Sequence, residues 1–500
     1  MFASIKSATI LGVHGIVIRV EVHTSSGFPG YTVVGMPDTA MRESKERIRA
    51  AMISSDAGWP ATRMTINLAP ANVRKSGTGS ELAILIGLLC TATPEDKRLK
   101  VQRFENAGVI GELGLDGTIR PVSGTIARVL ALRNSGVEEV FVPVANAYEA
   151  SLVGDIKVFP IKSVQGLIAC LTQGEPWPDI VPSQHTLNEV QSSGDYSEIS
   201  GQPLGCEAMM LLAAGGHHTL LMGSPGIGKT MLAERLPSIL PPLTDDESHE
   251  ITAIASILEG RVDKLLTRRP FRHTHHSASA PAMVGGGSTF AVPGEVTRAH
   301  KGVLFLDELS EFTNTALDVL RQPLETGTVT ISRAQFSTSL PAEFTLLGCS
   351  NPCPCAKPRE KCICSDVIRQ RYLRKLSGPL LDRFDIRLEL FRSPYVEGPT
   401  HTSTEMSARI TQAIERQHAR NADVGVVYNA RLNSMQLAQV VPLSRSVEMF
   451  FRERVEKREI SGRGATAIWR VARTLADLDD TADITELHMS RACDFREEIA

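Results

Sequence analysis

The stretch His218-Thr-Leu-Leu-Met222-Gly223-Ser-Pro-Gly-Ile-Gly228-Lys229-Thr230-Met231 decides the class of the chain. A short apolar run, read as a strand over His218–Met222, ends in a loop of the form G-x-x-x-x-G-K-[ST]. Met231–Leu236 then reads as a helix. Strand, loop and helix in this order are the context a phosphate-binding loop requires. The glycines let backbone N–H groups wrap phosphate oxygens, and the first turn of the following helix adds positive potential. Gly223, Ser224, Pro225, Gly226, Ile227, Gly228, Lys229, Thr230 and Met231 are therefore the expected nucleotide-binding set. Lys229 is expected on the β- and γ-phosphates of ATP and the Thr230 hydroxyl on Mg2+. The bland alternative, a chance glycine-rich turn, leaves the flanking strand and helix unexplained.

Two downstream strands belong with this loop. Gly302-Val-Leu-Phe-Leu-Asp307-Glu308 is an unbroken apolar run ending in two carboxylates. Buried parallel strands read this way, and ligands sit at their C-terminal ends. Asp307 is the expected second Mg2+ holder, acting through water, and Glu308 the group that polarises the attacking water. Glu343–Cys349 reads as another strand, ending at Ser350-Asn351. The residues alone leave Asn351 open between orienting that water and closing a turn before Pro352.

Working outward, residues 1–172 alternate strand and helix signals. Ala8–Val22 reads as strands, Ala40–Ser54 as an amphipathic helix, Met64–Leu68 as a strand and Leu82–Cys90 as a buried helix. Asp116-Gly117 within Gly111–Gly124 has hairpin chemistry. Residues 173–200 are rich in Pro, Ser, Gln and acids and read as a linker. An α/β domain over 201–395 follows. After the polar hinge Ser393–Met406, a helical domain over 396–500 closes the chain.

With 500 residues, 42% hydrophobic and 22% charged, the composition is that of a globular protein of several domains. Lys+Arg 53 against Asp+Glu 56 leaves a net charge of −3, so any nucleic-acid contact must come from local basic surface. One such stretch holds Lys357, Arg359, Lys361, Arg369, Arg371, Arg374 and Lys375 against Glu360 and Asp366. Another holds Lys264, Arg268, Arg269 and Arg272. No apolar run has the length of a membrane span and no signal-peptide core is evident, so the expected location is the cytoplasm, without a membrane partner.

Four of the nine cysteines, Cys353, Cys355, Cys362 and Cys364, fall in the pattern C-x-C-x6-C-x-C. Four thiolates can hold Zn2+ tetrahedrally and staple a loop too short to bury a core. Four reduced cysteines in a basic loop are the alternative. His273, His275 and His276 form a second cluster, but no carboxylate or thiol partner is evident nearby, so a polar loop is the preferred reading.

The order phosphate loop, LFLDE, SNPCPC and SGPLLDRFD resembles the Mg-chelatase-like AAA+ ATPases of the YifB/ComM type. The likeness extends to VEVHTSSGFPGYTVVGMPDTAMRESKERIRAA in the N-terminal domain and to SGRGATAIWRVARTLADL in the tail. It implies an α/β fold with three parts: a Lon-protease-like (S5-fold) N-terminal domain, an AAA+ P-loop core of the helix-2-insert type, and a helical lid. It implies a homo-hexameric ATP-driven DNA motor, a helicase or branch-migration factor acting on recombination intermediates, including those of natural transformation. Branched or single-stranded DNA and recombination proteins would be its partners. The resemblance gives Asn351 a sensor-1 role and makes Arg383 an arginine finger supplied to the neighbouring subunit. Arg463 takes the sensor-2 role, with Arg470 the alternative. Asp195–Gln202 becomes the segment beside adenine, Ala278–Arg298 the helix-2 insert, and Thr326–Arg333 a second hairpin, of the pre-sensor-1 kind. The triplet Thr274-His275-His276 departs from the family's usual Pro-His-His. Thr78 stands where the protease has its serine and Ile126 where it has its lysine, which leaves no base for nucleophilic catalysis. The chelatase ATPase subunit and a remodelling or assembly factor not acting on DNA are the competing functions.

Overall fold

In the computed structural model the described residues are 1–36, 38–73, 75, 78–92, 98–181, 194–286, 292–333, 336–357, 362–373, 376, 378–391 and 401–496. Gly287, Arg359, Glu360, Lys361, Arg374 and Lys375 lie outside them, as do residues 182–193 of the expected linker and 393–400 of the expected hinge. The chain forms two compact units, one of residues 1–188 with 244–266, the other of residues 189–243 with 267–500.

The first unit is a mixed seven-stranded sheet with helices. Phe2–Leu11 and His14–Ser25, largely buried or half-buried, pair antiparallel across Gly12, whose φ of 65° makes the turn. Arg63–Ala69 extends this sheet antiparallel, while Ala107–Val109, Glu139–Pro143 and Lys157–Ile161 extend it in parallel on the other side. The helix Glu81–Thr91 is buried along its whole length, as its all-apolar face from Leu82 to Leu89 requires. The expected hairpin forms between Glu112–Leu113 and Ile119–Arg120 around Gly117, φ 80°. The helix Asp245–Glu259 falls within the span expected for the ATPase core, yet it packs in this first unit. Ser256 donates to Glu149 at 2.5 Å, and Ala253 and Val262 join a cluster with Val129 and Ala150.

The second unit is built on a five-stranded sheet, all parallel, in the spatial order Phe271–Thr274, Val303–Leu306, Thr345–Ser350, Thr219–Met222, Ile386–Glu389. Thr219–Met222 and Val303–Leu306 are buried throughout, which explains their unbroken apolar sequences. Two short ladders accompany the sheet. Gly285–Gly286 pairs with Val292–Pro293 between the helices Ala280–Val284 and Glu295–Arg298. Thr328–Arg333 is a single strand rather than the hairpin expected over Thr326–Arg333, and it pairs antiparallel with the following strand, Phe336–Pro341. The tail is helical over Ser403–Asn421, Ser434–Val440, Arg445–Lys457, Gly462–Leu478 and Glu486–Asp494. Among the described residues no helix is long and apolar enough to cross a membrane.

Candidate nucleotide and metal sites

Strand order and register bring the sequence motifs together. Met222 pairs with Ser350 and Leu306 with Gly348, so the phosphate loop, Asp307 and Asn351 all follow neighbouring strand ends. Gly226 and Gly228 take φ of 74° and 104°, left-handed values that favour glycine, and open space surrounds the position of any Cβ there. Lys229 donates to the carbonyls of Gly223 at 2.6 Å and Ser224 at 3.2 Å, and to Asn351 Oδ1 at 3.3 Å. Burial lowers its ammonium pKa, against the opposing charges of Asp307 and Glu308. The Thr230 hydroxyl donates to Asp307 Oδ2 at 3.0 Å, which puts both expected Mg2+ holders within one hydrogen bond. An ammonium, a hydroxyl and a carboxylate around an open glycine loop fit a triphosphate with its metal. Gln202 donates to Ile227 O at 3.3 Å, and the fully buried Tyr196 donates to Leu232 O at 2.8 Å, so both ends of Asp195–Gln202 are anchored beside the loop.

Glu308 has a φ of 52°, an uncommon conformation for a glutamate, and its backbone N–H is held by Asp307 Oδ1 at 2.9 Å. Its carboxylate lies 3.2 Å from His276 Nδ1. The reading that no carboxylate stands near the histidine cluster is thereby corrected. Thr274 pairs with Leu306 in parallel register, so the residues two beyond each strand end, His276 and Glu308, come side by side. Thirty-odd intervening positions hide that neighbourhood from the sequence. His275 lies against His276 with centroids 4.1 Å apart and the rings tilted by 34°, and His273 packs on the Phe305 ring.

The arginines form a separate group. Arg383 donates to Pro379 O at 2.8 Å and pairs with Glu325, while neither Asp382 nor Asp385 is its partner. Asp382 pairs with Arg387 and Asp385 with His217. Arg463 reaches the same Glu325 at 3.3 Å. Arg470 is packed inside, its Nε donating to Leu432 O at 2.6 Å.

Cys353, Cys355, Cys362 and Cys364 present sulfur atoms that all lie within 4.8 Å of one another. The separations Cys353–Cys355, Cys353–Cys362 and Cys355–Cys362 are 3.4, 3.5 and 3.6 Å. A zinc–sulfur bond of about 2.3 Å gives a tetrahedron with edges of about 3.8 Å, close to this spacing. Backbone N–H groups of Lys357 and Ile363 donate to the Cys355 sulfur and pull its thiol pKa down to about 6. This four-thiol donor set fits Zn2+.

Three family models match the chain in sequence: subunit ChlI of Mg-chelatase over residues 20–146, magnesium chelatase subunit ChlI over 195–397, and its C-terminal part over 400–496. An uncharacterised protein of Mycobacterium tuberculosis (strain H37Rv) is 38% identical over 479 residues, 94% of each chain. Protein YifB of Escherichia coli (strain K12), also uncharacterised, is 36% identical over 501 residues, 98% of this chain and 96% of the relative. Competence protein ComM of Haemophilus influenzae is 36% identical over 504 residues, 99% of this chain and 97% of the relative. The chain belongs to the Mg-chelatase-like AAA+ family of YifB and ComM. This YifB/ComM family implies use of ATP and Mg2+, which matches the donor set at Lys229, Thr230 and Asp307.

Within this YifB/ComM member, the positions compared with a protease are occupied otherwise. The Thr78 hydroxyl donates to the Glu112 carboxylate, and Ile126 lies wholly in the apolar core. The nearby amine, Lys75, is buried and donates to Pro70 O. Arg128, buried beside Gly79, donates to the carbonyls of Ala8 and Ser123. No described contact therefore pairs a hydroxyl with an activating amine.

Proposed function

We propose that the chain is the protomer of an ATP-driven, hexameric DNA motor of the cytoplasm, a helicase or branch-migration factor that moves junctions in recombination intermediates. The observation that carries the ATPase half is the 3.0 Å bond from Thr230 to Asp307, beside Lys229 and Asn351. In this reading Lys229 binds the terminal phosphates and Asn351 orients the attacking water that Glu308 polarises. Mg2+ on Thr230 and Asp307 supplies charge neutralisation on the phosphates. Arg383 serves the neighbouring subunit's ATP and Arg463 takes the sensor-2 role. Zn2+ on the four thiols holds the loop after Asn351. The modules follow the reading of the sequence, a Lon-like domain over 1–172 without peptidase chemistry, a linker over 173–200, an ATPase core over 201–395 and a lid over 396–500, except that residues 244–266 pack with the first of these. The segment Ala278–Arg298 is the helix-2 insert, and the ladder of Thr328–Arg333 with Phe336–Pro341 is the pre-sensor-1 hairpin.

DNA as the substrate draws support from the competence name of one relative and from the basic stretches, which a ring would repeat around a channel. The chelatase names of the family models favour a second reading, the ATPase subunit of a metal chelatase. ATP hydrolysis titrated in parallel with branched DNA, duplex DNA and a protein substrate separates these functions. Branched DNA should stimulate hydrolysis most, and Lys229→Ala and Glu308→Gln should each lower turnover at least ~100-fold. Junction movement at full rate by Lys229→Ala would refute the motor.

A further inference from the structure

Arg383 and Arg463 come from different elements. One follows the helix Gly378–Leu381, and the other opens the helix Gly462–Leu478. Both place an Nη2 on one atom, Oε1 of Glu325, in the helix Arg321–Thr326. An anionic oxygen bridging two guanidinium groups is the arrangement these side chains make around a phosphate oxygen. Arg383 still has unused capacity, because its buried Nε has no hydrogen-bond partner among the described residues. Arg321, on the same helix as Glu325, brings a third guanidinium near Arg383 and is itself paired with Asp318 at 2.7 Å. The Glu325 side chain is 49% exposed, so its bridge is screened by solvent and weak enough to exchange.

We propose that Glu325 is a placeholder for phosphate: in a protomer without a neighbour its carboxylate occupies the Arg383–Arg463 site, and the terminal phosphate of a neighbouring subunit's nucleotide displaces it. The inference rests on the reading of Arg383 as acting on that neighbour. It adds that Arg463 works beside Arg383 on the same anion, and that assembly must first open an internal ion pair. A phosphoryl group carries more charge and more acceptor oxygens than a carboxylate, so the exchange runs toward phosphate once the subunits meet.

The test measures ATP hydrolysis by the full chain against protein concentration. Glu325→Gln keeps the shape and removes the charge, so it should reach half-maximal turnover per protomer at about threefold lower protein concentration than wild type. Arg383→Ala should be inactive at every concentration, and Glu325→Gln added to it should restore nothing. If circular dichroism shows Glu325→Gln misfolded, Glu325→Asp serves instead; one methylene shorter, it cannot bridge both arginines and should shift the curve the same way. An unchanged or right-shifted curve, with Arg383→Ala inactive, overturns the placeholder and makes Glu325 an orienting group. Wild-type turnover by Arg383→Ala overturns the underlying reading instead, so the two failures are distinguishable.

Discussion

His218 touches two neighbouring strands of the ATPase sheet, one through its ring and one through its backbone carbonyl. Its Nδ1 accepts the backbone N–H of Leu346 at 3.0 Å, and its carbonyl accepts those of Asp385 and Ile386. An Nδ1 that accepts leaves the proton on Nε2, so the ring is neutral. Burial, and after it the charge of Arg431, push its pKa down to about 4 from 6.5. Below pH 6.5 the unfolded chain takes up a proton that the folded chain refuses until about pH 4, so stability falls as the pH falls through this window. Between pH 7 and 5 the loss should be about 1–2 kcal/mol, allowing for the partly exposed ring. Thermal melts at pH 7.5, 6 and 5 should fall more steeply for wild type than for His218→Gln, whose amide oxygen can still accept from Leu346. Parallel curves would remove His218 as the source. At this scale the sequence was informative wherever chemistry is local: Lys229, Thr230, Asp307 and Asn351 are all found around one loop. His276 beside Glu308 and Glu325 between two arginines were not legible, because each depends on a register or a helix placement that no local pattern encodes.

Elements connect these residues, and the strand Thr345–Ser350 connects the most. It lies between the acidic strand and the phosphate-loop strand, ends at Asn351, and leads directly into Cys353. Tyr372, on the helix Asp366–Leu373, donates to Glu311 at 3.2 Å, close after Glu308. A staple on the four thiols would therefore steady both the end of the Asn351 strand and the turn behind Glu308. Protein purified without chelator should contain about one zinc per chain by elemental analysis. Cys355→Ser and Cys362→Ser should each lose that zinc and lower Tm by about 5 °C, the equivalent of ~1–2 kcal/mol in a unit of this size. Metal-free wild type would eliminate the site. The three central strands were readable as apolar runs, whereas Phe271–Thr274 and Ile386–Glu389, which mix in polar and charged residues, were not; the partner of Thr328–Arg333 was likewise not legible. The spatial order of five parallel strands was not readable from residues alone, since parallel neighbours are joined by long crossovers rather than tight turns.

At the scale of the whole molecule, the near-neutral charge is an average over parts with different work, and the chain's path matters more than its sums. It passes between the two compact units at 188/189, 243/244 and 266/267. The helix Asp245–Glu259 opens on a capping box at Thr244 and Glu247, but nothing in its pattern says which core receives it. In the structure Ala253 and Val262 are buried in the first unit, Ser256 satisfies the buried Glu149, and Arg261 donates to Ala145 O at 3.2 Å. The first unit thus contains a segment that sequence order assigns to the second. A single protease cut within 182–193 should therefore leave two fragments that co-elute in native gel filtration and separate only in denaturant. Ala253→Glu puts an unpaired carboxylate into that cluster, a change that costs several kcal/mol when nothing compensates the charge. It should let the cut fragments separate natively while Lys229 and its surroundings keep their nucleotide affinity. Fragments of the cut wild-type chain that part without denaturant would show that residues 244–266 do not hold the first unit, and the division of the chain would revert to one break at the linker.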